Sequence, residues 1–500
     1  MIYRQRKSSS KLIVISLAIL SFLVRLPFLS SVVVFDELGY LGGVVAVFQN
    51  NLNPFIEYFG YKPPITVIVP AILFRLFSPS RVWARLYIAV FSLLAIGYAY
   101  LLGKRLYGDK VGLWSAVLLF FFPIFFFQSF LFTDAVLLTA FTLATLYYYF
   151  TRNKVGYVIA AGLMVLTKEP AIFLILILAL YEIFLSKKKA LRPAGFKEII
   201  IIISPLFFFL VWVFLNKKYL GWFFWPYNFR LISESQVWRL DWSDLGYFRR
   251  DILSVLLRFY SWPINALLLA SIVFSIVDLR LRRKLCEPRI LLFTSLFTFY
   301  FIFYHITSVL SARYLLFVYP LVFIIFCYLA DLIFVSQRSY FVVMIMAIMT
   351  FISWPLISLH TNYISPEDDL GLFAYKIAYR KTMDYLSKNA GNAALNSTWP
   401  YTGYWTQSIN GYVKTAGETI VCSENVPFVD CLKRVKAEYP YSGGGYRDIY
   451  LVLDAYNENL LAEFLPYIRD NFLSVWEITP RELLFLRERI EILKFKISQD

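Results

Sequence analysis

Residues 155–186 read VGYVIAAGLMVLTKEPAIFLILILALYEIFLS. Read as one helix, this stretch crosses a bilayer once; read as two, it crosses twice and turns at Lys168-Glu169-Pro170. Basic clusters flank it on both sides, Arg152 and Lys154 before it and Lys187, Lys188, Lys189, Arg192 and Lys197 after it. A single crossing would strand one cluster on the opposite face, whereas two crossings keep both on the cytoplasmic side, as positive-inside topology requires. Proline after two charged residues also breaks a helix, because it lacks an N–H and restricts the residue before it. The sequence therefore predicts a helix pair. Each half is short for a hydrocarbon core of about 30 Å. The turn is expected in a recess of the protein below the outer membrane surface, where non-helical backbone faces a cavity.

The rest of the chain has the same character. Of 500 residues, 59% are hydrophobic and 16% are charged, and the mean hydropathy is +0.62. A soluble domain has no means of hiding that much apolar surface. The chain reads as a polytopic α-helical membrane protein with spans near 11–29, 82–103, 111–128, 131–150, 155–167, 170–186, 199–215, 263–280, 290–306, 312–333 and 340–358, about eleven by the length a bilayer demands. The first run, Lys11 to Leu29, has a basic flank (Arg4, Arg6, Lys7) but no small-x-small cleavage site, so it reads as a retained first helix. The net charge of +16 sits in short connectors, including Lys104-Arg105, the cluster Arg280, Arg282, Arg283, Lys284 and Arg289, and Arg338. These alternate with connectors that lack such clusters. The pattern marks membrane topology and headgroup contact, not nucleic acid binding. It predicts a multi-pass protein of the cell membrane with a cytoplasmic N-terminus.

Residues 1–358 form the predicted membrane domain, with outer loops at 30–81 and 216–262. The second loop is rich in aromatic residues (Trp222, Trp225, Tyr227, Trp238, Trp242) that either anchor the protein at the water boundary or stack on sugar rings or prenyl chains. Beyond residue 359 no run is long enough to span. Helical patterning at 370–390 and 458–472 alternates with strand-like runs at 393–400 and 449–454 and with terminal strand candidates LSVWEIT and ELLFLRERIEIL. Residues 359–500 are expected to form a small extracytoplasmic α/β domain. Its two cysteines, Cys422 and Cys431, are placed for a short-loop disulfide in an oxidising compartment. No cysteine or histidine cluster has zinc spacing, so the metal expectation is none.

Charge inside such a protein is expensive and marks function. Asp36 and Glu37 follow the first span. A carboxylate there is either a solvated helix cap or a general base poised over the membrane. Lys62 precedes Pro63 and Pro64, which stiffen the backbone and fix a point charge suited to phosphate. Arg75 and Arg81 follow, and Arg85 falls inside the start of the next span, where it either snorkels to headgroups or grips phosphate with two hydrogen bonds. Asp134, after Thr133, opens a helix whose dipole favours it. Lys168 and Glu169 occupy the recessed turn, where they either pair with each other or join the same cluster. His305 ends one span and Arg313-Tyr314 begins the next. All of these fall on one predicted face, and this convergence is the signal.

The motifs DELGY (36–40), YKPPI (61–65), the Arg85 helix start, TDAVLL (133–138), LTKEP (166–170) and SARYLLFVYP (311–320) appear in the order of the GT-C glycosyltransferases, and the chain resembles the superfamily of protein O-mannosyltransferases and the lipid A aminoarabinose transferase over roughly residues 10–330. It lacks a WWDYG-type motif, which argues against transfer of a whole glycan to asparagine. The resemblance implies a donor made of one sugar on polyprenyl or dolichyl phosphate, held at the outer face. It implies an inverting, metal-independent transfer to a protein, lipid or polysaccharide acceptor, with no cofactor beyond the lipid-phosphate sugar. It assigns Asp36 as base with Glu37 assisting, and Lys62, Arg85 and Arg313 to the donor phosphate. Tyr40, Asp134, Lys168, Glu169 and His305 support the site. A transporter or flippase of a lipid-linked substrate is the competing reading, and it would call for charges through to both faces or inverted repeats. A non-catalytic scaffold is the third.

Overall fold

The computed structural model describes residues 2–34, 36–55, 63–187, 196–223, 286–306, 312–334, 336–357, 371–389, 394–396, 419–420, 449–453, 472–479 and 490–495. The expected span at 263–280, most of the second outer loop, Lys62, Cys422 and Cys431 lie outside the described residues. Two compact units emerge, one from Met1–Leu29, Tyr40–Ser358 and Tyr363–Asp369, the other from Ser30–Gly39, Leu359–Asn362 and Leu370–Asp500.

The first unit is helical. Helix α1 (Ile2–Arg25) passes through a short 3-10 turn at Leu26–Phe28. Helix α2 (Asp36–Gln49) contributes all but its first turn to this unit. Helices α3 (Ile65–Leu76) and α4 (Arg81–Tyr107) follow. Ser80 caps α4, its Oγ accepting from the Val82 N–H at 3.3 Å. Gly108 ends α4 and starts α5 (Asp109–Phe121) with φ +104°, a backbone that only glycine adopts without strain. The expected span 111–128 is not one helix. Phe122 turns extended ahead of Pro123 and a short α6 (Pro123–Gln128) begins afresh, because proline disfavours the helical conformation in the residue before it. Helix α7 (Asp134–Thr151) is buried along nearly its whole length, so its apolar residues point in every direction and it forms the centre of the unit.

The pair predicted from 155–186 is present as α8 (Lys154–Val165) and α9 (Ile172–Lys187), joined through a 3-10 turn at Glu169–Ala171. Helices α10 (Phe196–Ile203) and α11 (Leu206–Leu220) meet at a 43° bend beside Pro205. Helix α12 (Pro288–Ile306) follows. The expected span 312–333 begins instead as a 3-10 turn at Ala312–Leu315, and α13 (Tyr319–Ile333) starts only where Pro320 occupies its first turn. Helix α14 (Gln337–Ile357) is the last of the unit. Among the described residues two helices, α1 and α4, are long and apolar enough to cross a membrane, or three if the bent α10–α11 pair is one span. Helices α3, α8 and α13 are shorter apolar helices of 12, 12 and 15 residues. Leu12, Ile15, Ile19 and Leu23 on α1, with Phe207, Leu210 and Phe214 on α11, are bare apolar side chains, a surface suited to hydrocarbon and not to water.

The tightest crossing is between α4 and α5. A Cβ on Gly112 would lie 2.5 Å from the Tyr100 carbonyl oxygen and 2.7 Å from the Lys104 nitrogen, and one on Gly103 would lie 2.9 Å from Gly112 Cα. Small residues let the two backbones touch, the packing that membrane helices use where no hydrophobic effect drives association.

The second unit carries helix α15 (Gly371–Asn389) and a five-stranded mixed sheet of β1 (Ala394–Asn396), β2 (Thr419–Ile420), β3 (Ile449–Leu453), β4 (Phe472–Ile478) and β5 (Ile490–Phe495). The strand order is β2-β1-β3-β5-β4. Strand β1 is parallel to both neighbours, and the two pairs involving β5 are antiparallel, with an irregularity between Ser474 and Trp476. Phe472 opens a strand, where the pattern had extended a helix to it. Strand β2 was not legible, being two residues long. Tyr385 of α15 donates to the Val475 carbonyl at 3.3 Å, and the buried Lys376 donates to Ser31 Oγ at 2.9 Å.

Gly112→Ala is expected to lower the thermal midpoint in detergent, at a cost of about 1–3 kcal/mol, because only backbone could yield to the new methyl group. Gly97→Ala on the same helix α4, where a Cβ meets nothing within 4 Å, is expected to be neutral or mildly stabilising. Equal effects of the two would show that the crossing is not tight.

Candidate active site

Asp134 sits in the first turn of α7, where four backbone N–H groups lack helical partners and the dipole favours a carboxylate. Its neighbour Thr133 does not cap the helix, and its hydroxyl donates instead to Gln128 Oε1 at 3.0 Å. Asp134 faces across the unit. Tyr40 of α2 donates its hydroxyl to Asp134 Oδ2 at 2.7 Å. Lys168 Nζ donates to Asp134 Oδ1 at 3.1 Å, and the two side chains are 16% and 9% exposed. Lys168 thus pairs with Asp134. Glu169, which the sequence offered as its partner, opens the 3-10 turn.

Lys168 lies in the connector, outside the helices on either side. Burial works against its charge, but the Asp134 carboxylate and the phenols of Tyr304 and Tyr314 outweigh that, and its pKa is raised. Its ammonium stands 4.4 Å from the centroid of the Tyr314 ring, a cation–π distance. Tyr314 stacks on Tyr304 with centroids 5.4 Å apart. Tyr300 donates to the Pro170 carbonyl at 2.8 Å and so pins the turn itself.

The proline-stiffened segment arrives at the same place. The Ile65 N–H donates to the Leu166 carbonyl at 3.1 Å, and Tyr87 donates to the Ile65 carbonyl at 3.3 Å. These bonds fix the residues that follow Lys62-Pro63-Pro64 against the end of α8. Residues from DELGY, YKPPI, TDAVLL and LTKEP, spread over 130 positions of sequence, are thereby joined by hydrogen bonds.

Arg85 is buried, and its Nη1 donates to the Phe28 and Leu29 carbonyls at 3.0 and 3.2 Å, closing the turn after α1. Arg313 lies in the 3-10 turn at Ala312–Leu315, and His305 lies near the end of α12. Asp36 and Glu37 form the first turn of α2 and belong to the second unit, where the Val34 N–H approaches Glu37 Oε2 at 3.4 Å.

One buried cation escaped the sequence reading. Arg25 closes α1, with Nε donating to Ser129 Oγ at 2.7 Å and Nη1 to Ser21 Oγ at 2.6 Å, and its guanidinium faces the rings of Phe126 and Phe130. Its signal in the sequence was a single charge within an apolar run, four residues after a serine.

Lys168→Met leaves the buried Asp134 carboxylate without its cation, and the expected cost is about 3 kcal/mol or more. Adding Asp134→Asn is expected to recover most of that loss. A double-mutant cycle on thermal or denaturant unfolding measures the coupling, and additive effects would show that the pair does not interact.

Residues 61–214 match the family profile described as dolichyl-phosphate-mannose-protein mannosyltransferase. No curated relative matches the chain in sequence. Among solved structures, ArnT from Cupriavidus metallidurans bound to undecaprenyl phosphate aligns with 97% of this chain and 98% of its own, at 14% identity and a TM-score of 0.57. The apo form of the same protein aligns with 98% of both chains, at 14% identity and a TM-score of 0.58. The archaeal oligosaccharyltransferase AglB from Archaeoglobus fulgidus covers 97% of this chain and 74% of its own at 12% identity, with a TM-score of 0.48 that supports no argument. At these identities the likeness to ArnT is one of fold. The resemblance read from the sequence motifs therefore recurs in three dimensions: this is a membrane protein with the GT-C fold, and its residues 61–214 carry the profile of that mannosyltransferase family.

Proposed function

We propose that the protein is a multi-pass membrane glycosyltransferase that moves one sugar from a polyprenyl- or dolichyl-phosphate donor to an acceptor at the outer face, with inversion at the anomeric carbon. The observation that carries this reading is the hydrogen-bonded meeting of Tyr40, Asp134, Lys168 and the Ile65–Leu166 junction at one end of the helical unit. A fully apolar bundle would bury methyl groups there. A charged, tyrosine-bound site is costly in such surroundings and is kept for a polar ligand. The fold shared with ArnT, whose structure holds undecaprenyl phosphate, supports a lipid phosphate as that ligand.

In this mechanism Asp36 takes the proton from the acceptor as it attacks the anomeric carbon, and Glu37 orients it. The bond from that carbon to the phosphate oxygen breaks, and the lipid phosphate leaves as an anion. Lys62 and Arg313 offset the charge that develops on the leaving group, the work a metal ion does elsewhere. Arg85 adds positive charge while bracing the turn at Phe28–Leu29. Lys168 is tied to Asp134, so its charge sets the local field and the position of the turn and leaves phosphate contact to the other cations.

The test uses the purified full-length protein with polyprenyl phospho-sugars and a panel of protein, lipid and polysaccharide acceptors. Transfer with inverted anomeric configuration is expected, unchanged by chelators. Asp36→Asn is expected to lower kcat by about 100-fold or more with little change in donor affinity, and Lys62→Met to weaken donor binding. Full activity in Asp36→Asn would remove it as base. Movement of labelled lipid across the bilayer without chemical change would replace the reading with a flippase.

A further inference from the structure

Asn216 and Thr66 are buried with side-chain polar atoms that make no hydrogen bond among the described residues. Asn216 on α11 is 0% exposed, and neither its amide nitrogen nor its amide oxygen has a hydrogen-bond partner among the described residues. Thr66, in the first turn of α3, is 2% exposed, and its hydroxyl has none either. Native proteins pair nearly all such groups, and each one left unmade loses its bonds to water with no return. A buried carboxamide with both ends idle is the more telling, since a leucine would fill the same space with no polar atom to satisfy.

Thr66 adjoins the candidate site, and helix geometry puts Asn216 at the same level. The buried stripe of α11 is Phe209, Trp212, Val213 and Asn216, the i, i+3, i+4, i+7 spacing of one helix face. Helix α11 packs on α8, where Gly162 leaves room for the ring of Phe208, on the flank of that stripe. Tyr157 near the start of α8 bonds the Ile202 carbonyl, and Gly162 further along meets Phe208, so the two segments run in the same direction. Asn216 lies eight residues past Phe208, or about 12 Å along the helix, which carries it to the level where α8 gives way to the Lys168 turn. Tyr219, a turn further on, stacks on Phe55, a residue of the segment that leads to Pro63-Pro64. Thr66 follows Ile65, whose N–H is bonded to Leu166 at that same end of α8.

We propose that Asn216 and Thr66 bind hydroxyl groups of the donor's sugar, an inference that rests on the lipid-phosphate-sugar reading above. The chemistry fits a neutral polyol and not the phosphate. A carboxamide offers two donors and an acceptor oxygen, and a threonine hydroxyl both gives and accepts, so together they can match groups that each carry a donor and an acceptor. Phosphate calls for cations, which the site holds separately.

The experiment measures binding to the full-length protein in nanodiscs, comparing polyprenyl phosphate with a panel of polyprenyl phosphates bearing hexoses or pentoses. Wild type is expected to prefer one sugar-bearing lipid over the bare phosphate. Asn216→Leu and Thr66→Val are each expected to weaken binding of that lipid about tenfold while leaving bare polyprenyl phosphate unchanged. The thermal midpoint of Asn216→Leu is expected to equal or exceed that of wild type, which separates lost recognition from lost folding. Variants that keep the wild-type preference overturn the proposal and leave Asn216 to an ordered water. Wild type that binds bare and sugar-bearing lipids equally also overturns it. Wild type that binds none of the lipids overturns the glycosyltransferase reading itself.

Discussion

The ion pair between Asp134 and Lys168 is the contact on which the candidate site depends. Two unit charges about 3 Å apart attract by about 5 kcal/mol at the effective dielectric of ~20 typical of protein sites. Withdrawing them from water costs a comparable amount, so the pair adds little net stability. Its value is geometric. It ties the start of α7 to the connector between α8 and α9, and Tyr40 ties α2 to the same carboxylate. Breaking it would leave an uncompensated charge in an apolar surround, which is why the turn cannot drift.

The bundle supports that contact from a distance. Helix α7 is buried all round and cannot rotate without displacing core side chains, so the position of Asp134 is set by packing. Helix α4 is locked to α5 through the Gly103–Gly112 contact, and Tyr87 on α4 holds the start of α3. Two arginines finish the frame. Arg25 binds α1 to Ser129, and Arg85 binds α4 to the carbonyls just past the end of α1. Both cations take neutral oxygen atoms as partners there, an arrangement suited to bracing backbone ends where a helix leaves its last carbonyls unpaired.

The site also shows a division of labour between charged and neutral groups. The charged residues cluster at the connector and at the starts of helices. The uncharged polar residues Thr66 and Asn216 occupy core positions, buried and unpartnered among the described residues. A ligand with an anionic end and a neutral, hydroxyl-rich end would satisfy both sets at once, and a lipid phospho-sugar has that shape.

The sequence alone determined the membrane class, the helix break at Lys168-Glu169-Pro170 and the motif order, because hydropathy, proline chemistry and motif order are local properties written along the chain. It also located α15, β1, β3 and the last two strands from their periodicities. Only the tertiary structure decided which charges meet. Lys168 stands next to Glu169 in sequence yet pairs with Asp134, 34 residues away, because the connector points its side chain toward the start of α7. Arg85 resembled a phosphate ligand and is also a backbone brace, since no one-dimensional pattern says where a guanidinium will aim. Asn216 was inconspicuous at the polar end of an apolar run, because a missing hydrogen bond is a property of surroundings assembled from distant segments.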